Sequence, residues 1–164
     1  MTAAGGDFTV HGVVGVDGEG DIYLLDWWRR QADSSEWVES VIDLMEKWRY
    51  VTLWAEEKGQ IEKGVGPFLT KRMHERHVYG RREAFTSAAD KATRARAIQG
   101  RMSMGKVYFP KGAPWVDDLV SELLRFPAGT HDDQVGVLSL FGRMLDSMHG
   151  ATKPKLEPKA AGPT

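Results

Sequence analysis

Phe8, Val10, Val14 and Val16 fall on every second position, and Ile22-Tyr23-Leu24-Leu25 resumes after the turn residues Asp17-Gly18-Glu19-Gly20. Period two on both sides of such a turn predicts an antiparallel β-hairpin. The period then lengthens. Asp33 with Glu36 three residues later reads as a capping box, and Trp37, Val41, Leu44, Met45 and Trp48 line one face of the helix it would open. Val51-Thr52-Leu53-Trp54-Ala55 is a short, almost wholly apolar run, as expected of a strand covered on both sides, and it breaks off at Glu56-Glu57-Lys58-Gly59.

Further on, a helical stretch is predicted from Ile61 to Met73, with an interruption or fresh start at Gly66-Pro67. A short strand is expected at Val78-Tyr79. Asp90 is placed to cap a helix that reaches Met102 and ends at Gly105. Val107-Tyr108-Phe109 before Pro110 suggests an extended segment. Pro114 opens a helix that aligns Trp115, Leu119, Leu123 and Phe126, and a last helix from Asp132 to Met148 turns Val135, Leu138, Phe141 or Leu145, and Met148 inward. Strands interleaved with helices in this order predict an α/β fold with a mixed sheet flanked by helices. Residues 1–148 form the expected domain, and the Pro/Lys-rich stretch 149–164 is expected to be a disordered tail.

Composition narrows the chemistry. The chain has 164 residues, enough for one domain, and no cysteine, which excludes disulfides, thiolate catalysis and cysteine-ligated zinc. No run approaches the roughly 18 apolar residues of a membrane helix and Met1-Thr2-Ala3-Ala4 opens no signal peptide, so the expected setting is cytoplasmic. A formal charge of −1 hides an uneven distribution. Between Lys71 and Arg101 stand Lys71, Arg72, Arg76, Arg81, Arg82, Lys91, Arg94, Arg96 and Arg101 against Glu75, Glu83 and Asp90. That block reads either as a footprint for nucleic-acid phosphates or as a solvated helix face.

Two acidic pairs invite closer attention. Glu56-Glu57 follow an apolar strand, where open α/β sheets collect ligands, although such a pair is more often simply the polar exit into a loop. Asp132-Asp133 open the last helix, where the macrodipole favours carboxylates and Asp is a common cap. If that helix packs beside the strand ending at Glu57, the like charges converge and need a cation between them. Hard carboxylate oxygens without thiolates suit Mg²⁺ or Mn²⁺, and paired ions are the device for in-line attack on a phosphodiester. His74-x-x-His77 has a metal-like spacing but no companions.

Four segments, in order, resemble the nuclease domain of tailed-phage terminase large subunits. They are Trp54-Ala-Glu-Glu-Lys-Gly-Gln-Ile with Gly66-Pro67-Phe68-Leu69, Asp90-Lys91-Ala-Thr-Arg94-Ala95, Gly105-Lys-Val-Tyr-Phe-Pro110, and Phe126-Pro-Ala-Gly-Thr-His-Asp-Asp-Gln-Val. The resemblance covers roughly Gly5 to Met148. It implies a ribonuclease-H-like fold, two divalent ions (Mg²⁺ or Mn²⁺), and cutting of concatemeric viral double-stranded DNA during genome packaging in the cytoplasm of a bacterial host. It further implies as partners a terminase ATPase domain on an upstream or separate segment, a small terminase subunit and the portal, with no membrane. Carried over, Glu57 and Asp133 are the expected catalytic metal ligands, with Asp132 assisting the metal shell or capping the helix. Lys91, Arg94, Arg81, Arg82 and His131 are the expected contacts to nucleic acid.

Two departures qualify this expectation. Gly136-Val137 stand where the family pattern continues Asp-Ala, which removes a supporting acid. The family's first, central strand and its metal-binding Asp would precede Gly5-Gly6-Asp7, and Asp7 belongs to the following strand, so the fold is expected to lack that strand and one ligand. The edges of Phe8–Val16 and Val51–Ala55 would then face each other unpaired. Three outcomes are open: the two strands close up, another polypeptide donates a strand, or the chain is a fragment of a mis-started or decayed gene. No Gly-x-x-x-x-Gly-Lys-[Ser/Thr] loop occurs, so the chain is not by itself the packaging ATPase. The alternative to a nuclease is a non-catalytic DNA-binding or packaging-assembly module descended from it.

Overall fold

The computed structural model describes residues 8–57, 65–86 and 90–149. The elements run β1 (Thr9–Val16), β2 (Ile22–Arg30), α1 (Ser34–Lys47), β3 (Trp54–Glu57), α2 (Gly66–Arg76), β4 (Arg82–Phe85), α3 (Lys91–Ser103), β5 (Val107–Tyr108), α4 (Val116–Arg125) and α5 (Asp133–His149). Local chemistry accounts for many of the boundaries. The Asp17 carboxylate accepts from the backbone N–H groups of Glu19 and Asp21, and Gly20 takes the positive φ of 84° that closes the β1–β2 turn. Asp33 caps α1 in a complete capping box with Glu36, and Asp90 caps α3 by accepting from Thr93 N. Gly105, at φ 69°, turns the chain out of α3.

The strands form a mixed α/β arrangement flanked by helices, in two parts. β1 and β2 pair antiparallel with a register shift between Val13 and Val14, and β5 joins the far edge of β2 in parallel. β3 and β4 pair in parallel, with Glu56 opposite Ala84 and Glu57 opposite Phe85. Among the described residues β1 pairs only with β2 and β3 only with β4, so the two strands have not closed up on each other.

Two apolar clusters hold the layers. Ile22, Leu24 and Trp27 of β2 pack with Ile98 of α3, Leu119 of α4, and Leu138 and Leu145 of α5. Val38, Val41, Ile42 and Met45 of α1 pack with Leu69 and Met73 of α2, and Trp54 of β3 leans on this second cluster. Each such side chain taken out of water contributes about 1.5–3 kcal/mol. Arg76 adds a polar seam, reaching Glu39, Asp43 and Glu46 on α1 from α2.

Several expected positions shift. The third strand covers Trp54–Glu57 rather than Val51–Ala55, so both glutamates lie within it. The fourth forms at Arg82–Phe85, not at Val78-Tyr79, because its register is set by β3, with Trp54 N donating to Arg81 O at 2.8 Å. Met148 is exposed, and Gln134 is buried in its helix instead. Asp7, the Ile61 start of the second helical stretch and the tail 150–164 lie outside the described residues. No helix among those described is long and apolar enough to cross a membrane.

Candidate active site

Glu57 ends β3, where its carboxylate accepts from Arg94 Nη1 of α3 at 2.8 Å and from Arg143 Nη2 of α5 at 3.2 Å. The two guanidinium groups are mostly shielded, at 16% and 21% side-chain exposure, while Glu57 itself is 40% exposed. The carboxylate is therefore reached from the protein side by cations and remains open on the other. Glu56 points elsewhere, accepting two hydrogen bonds from Arg82 of the neighbouring strand at 3.1 and 3.4 Å.

The second acidic pair is set by the start of α5. Asp132 supplies the first helical acceptor through its backbone carbonyl to Gly136 N, and its side chain takes both contacts from Lys91 Nζ at 2.6 and 2.8 Å. Asp133 Oδ2 accepts from the backbone N–H of Phe8 at 3.1 Å, which ties the start of α5 to the entry of β1. Glu122 of α4, itself buried, accepts from Val135 N and from Gln134 Nε2, satisfying an N-terminal donor of α5 that no earlier residue in the helix can meet.

α3 joins the two pairs. Asp90 caps it, and its carboxyl is held below the usual range first by the hydrogen bond from Thr93 N. Lys91 and Arg94 are then one turn apart on the same face. Their partners are Asp132 and Glu57, so acids from β3 and from the start of α5 meet the same end of α3 in alternation with its cations. Arg143 stands ten residues beyond Asp133, a rise of about 15 Å along α5, so Glu57 is also reached from the middle of that helix.

The family model for the terminase RNaseH-like domain matches residues 2–144. The chain belongs to this family. No curated protein matches it at a significant level. The carboxylates expected to hold an ion, those of Glu57, Asp132 and Asp133, offer hard oxygens with the right chemistry for Mg²⁺ or Mn²⁺. Their number and placement do not suffice: among the described residues no group of three or more acidic or histidine side chains is close enough to hold a metal ion. Each acid meets a donor of the protein itself. The described part of this terminase domain thus does not by itself fit a two-ion centre.

The remaining expected contacts are dispersed. Arg81 is exposed and pairs with Glu83, while Arg82 is drawn in against Glu56. His131 packs edge-on to the ring of Phe8 at 5.2 Å, on which Arg29 also stacks at 3.6 Å. His74 leans on Tyr79, and His77 takes the left-handed conformation that ends α2. Sequence reading missed Arg143, although an arginine between Phe141 and Met144-Leu145 in an apolar helix is itself a signal that an acid waits nearby. Glu122 and Gln134 were missed too, and only their three-dimensional contact reveals them.

Proposed function

We propose that this terminase RNase H-like domain is the nuclease module that cuts concatemeric viral double-stranded DNA during genome packaging. The observation that carries the reading is the pairing of Lys91 with Asp132 and Arg94 with Glu57 at one end of α3, inside the matched region. Cations at that end can meet backbone phosphates, and the carboxylates hold them in place until the phosphates arrive. Arg143 backs Arg94 from the other side of Glu57. The packaging motor, the small subunit and the portal are the partners this reading implies, and dependence on Mg²⁺ or Mn²⁺ is the cofactor it implies.

A second reading, a DNA-binding or assembly module without cleavage, draws on the same geometry, since Glu57, Asp132 and Asp133 each already have a donor of the protein and no three acids gather among the described residues. One experiment separates the two. Purified chain is incubated with supercoiled plasmid in Mn²⁺ or in EDTA, beside the Glu57→Ala and Asp133→Ala variants, with DNA retention measured on the same samples. Cleavage that needs Mn²⁺ and is lost in both variants supports the nuclease. Retention without nicking in any condition supports the module and overturns the nuclease reading for this chain.

A further inference from the structure

We infer that the niche between the end of β2, α4 and the start of α5 binds one nucleotide by its terminal phosphate, either free or at the end of a DNA strand. The niche holds about 210 Å³. Arg29 enters it from β2, two residues beyond Trp27 and so on the same face of the sheet. Arg125 and Ser121 enter from α4, and Thr130 and His131 from the segment before α5. Glu122 and Gln134, both buried, also line it, and their hydrogen bonds to each other, to Val135 N and to Trp27 Nε1 fix that wall.

The first observation is that the cations of the niche are not spent on the protein. Buried Nε atoms of Arg82, Arg94 and Arg143 lack an acceptor, but each of those guanidinium groups reaches a carboxylate through another nitrogen. Arg29 Nε is likewise buried without an acceptor, and its guanidinium has no carboxylate among the described residues, only the face of Phe8 at 3.6 Å. A charged donor left in that state calls for an anion. Arg125 also has no ion pair among the described residues. His131 shares the Phe8 ring with Arg29, and Gly129 stands between His131 and Arg125, where a Cβ would lie 3.2 Å from Arg125 Cβ and 3.6 Å from His131 O. Arg29, His131 and Arg125 thus gather around one part of the niche.

The second observation is an acceptor set apart from these donors. Asp118 lines the niche two turns before Arg125 on the same face of α4, about 10 Å away along the helix, and it too has no partner among the described residues. With Glu122 it nearly balances the two arginines, so a bare anion gains little there. A ligand with an anion at one end and an N–H or O–H donor at the other meets both. A nucleotide is such a ligand, with its phosphate on the arginine forks and a sugar hydroxyl or base amine on Asp118, a separation of that order. A terminal phosphate carries about −1.5 to −2 charges and three free oxygens for the two arginines and the imidazole. An internal phosphodiester carries a single charge and continues in both directions, which suits a niche walled from β2, α4 and the start of α5 less well. Phe8 N–H reaches Asp133, so a strand end seated in the niche would lie beside the candidate acids.

Fluorescence anisotropy of the full chain in EDTA tests the inference without any cut, so its failure and that of the nuclease reading are told apart. The probes are a short single-stranded oligonucleotide, labelled at its 3′ end, with either a 5′-phosphate or a 5′-hydroxyl. The phosphate is expected to tighten binding about fivefold or more. Arg29→Gln, and Arg125→Gln at an exposed position without a side-chain partner among the described residues, are each expected to abolish that difference. Arg49→Gln, beyond the end of α1, should leave it intact. Asp118→Ala is expected to weaken both probes alike, although it removes a negative charge. Competition by deoxyadenosine 5′-monophosphate assigns the source: displacement of the phosphorylated probe means that a free nucleotide suffices, and its absence that a strand end is the ligand. The inference is overturned if the parent binds both probes equally, if the phosphate preference survives Arg125→Gln, or if Asp118→Ala tightens both.

Discussion

Gln134 Oε1 accepts from Trp27 Nε1 at 2.9 Å, deep between β2 and α5. The amide's other end donates to Glu122, which also receives Val135 N–H, so one buried chain of contacts runs from the sheet through α5 to α4. Removing its terminal acceptor strands two buried donors, each costing about 1–3 kcal/mol. Glu122→Ala is therefore expected to lower the urea midpoint by the equivalent of at least 2 kcal/mol, on the order of 4–8 °C in Tm. Glu122→Gln keeps one acceptor oxygen and should recover part of the loss. A midpoint unchanged in Glu122→Ala would mean that the chain of contacts contributes nothing to stability.

His11 links the proton balance to the fold. It is half-buried in β1, stacked on Trp28, and desolvation lowers its pKa from 6.5 to about 4, against smaller opposing effects of its contacts with the Trp37 and Val10 backbones. The Ser40 hydroxyl donates to Trp37 O, so His11 Nε2 carries the hydrogen that faces Ser40. Below pH 6.5 the unfolded chain takes up a proton that the folded chain refuses. The stability this histidine leaves intact above pH 6.5 is thus lost progressively down to pH 4, by up to roughly 3 kcal/mol. Denaturation of the parent and of His11→Gln between pH 7 and pH 4 should show a shallower loss in the variant. Equal slopes would refute the assignment.

What the sequence disclosed and what it withheld divide along the range of the interactions. The capping box at Asp33-Glu36, the Asp90 cap and the turn at Asp17–Gly20 are local and were readable from a few residues. β3 was misplaced by two to three residues because its position depends on pairing with β4, and Arg82-Glu83-Ala84-Phe85 has no apolar alternation to announce a strand. Glu56 and Glu57 are tolerated in a strand only because Arg82, Arg94 and Arg143, distant in sequence, arrive beside them. The candidate site was legible in its acids and in Lys91 and Arg94. Their mutual neutralisation was not, since it rests on contacts 37 to 86 residues apart.

Two glycines of α5 carry opposite expectations. A Cβ at Gly136 meets nothing within 4 Å, so Gly136→Ala should stabilise the helix by about 0.5–1 kcal/mol through the lost freedom of the unfolded chain. A Cβ at Gly142 would lie 2.9 Å from Ile98 N and 3.2 Å from Ala97 Cβ, where α5 packs against α3. Gly142→Ala is expected to cost about 1–3 kcal/mol as the helices are forced apart. Thermal melts of both variants check the pair, and a destabilised Gly136→Ala or a neutral Gly142→Ala would contradict the packing described.

Glu57→Ala releases two cations at once, which makes DNA retention a sharper reporter than stability. Glu57 is 40% exposed, so its loss should cost less than about 1 kcal/mol of folding energy. Arg94 and Arg143 then lack the carboxylate that both contact and become available to phosphates. Each additional phosphate contact steepens the fall of log affinity with log salt by about 0.9. The variant is expected to bind duplex DNA several-fold more tightly at low salt, with the salt slope steeper by about 1–2, while Arg94→Ala in the same background returns the slope towards the parent's. Fluorescence anisotropy across a salt series measures all three. Binding by Glu57→Ala no tighter than the parent's would show that these arginines do not face the DNA, and would confine them to bracing the fold.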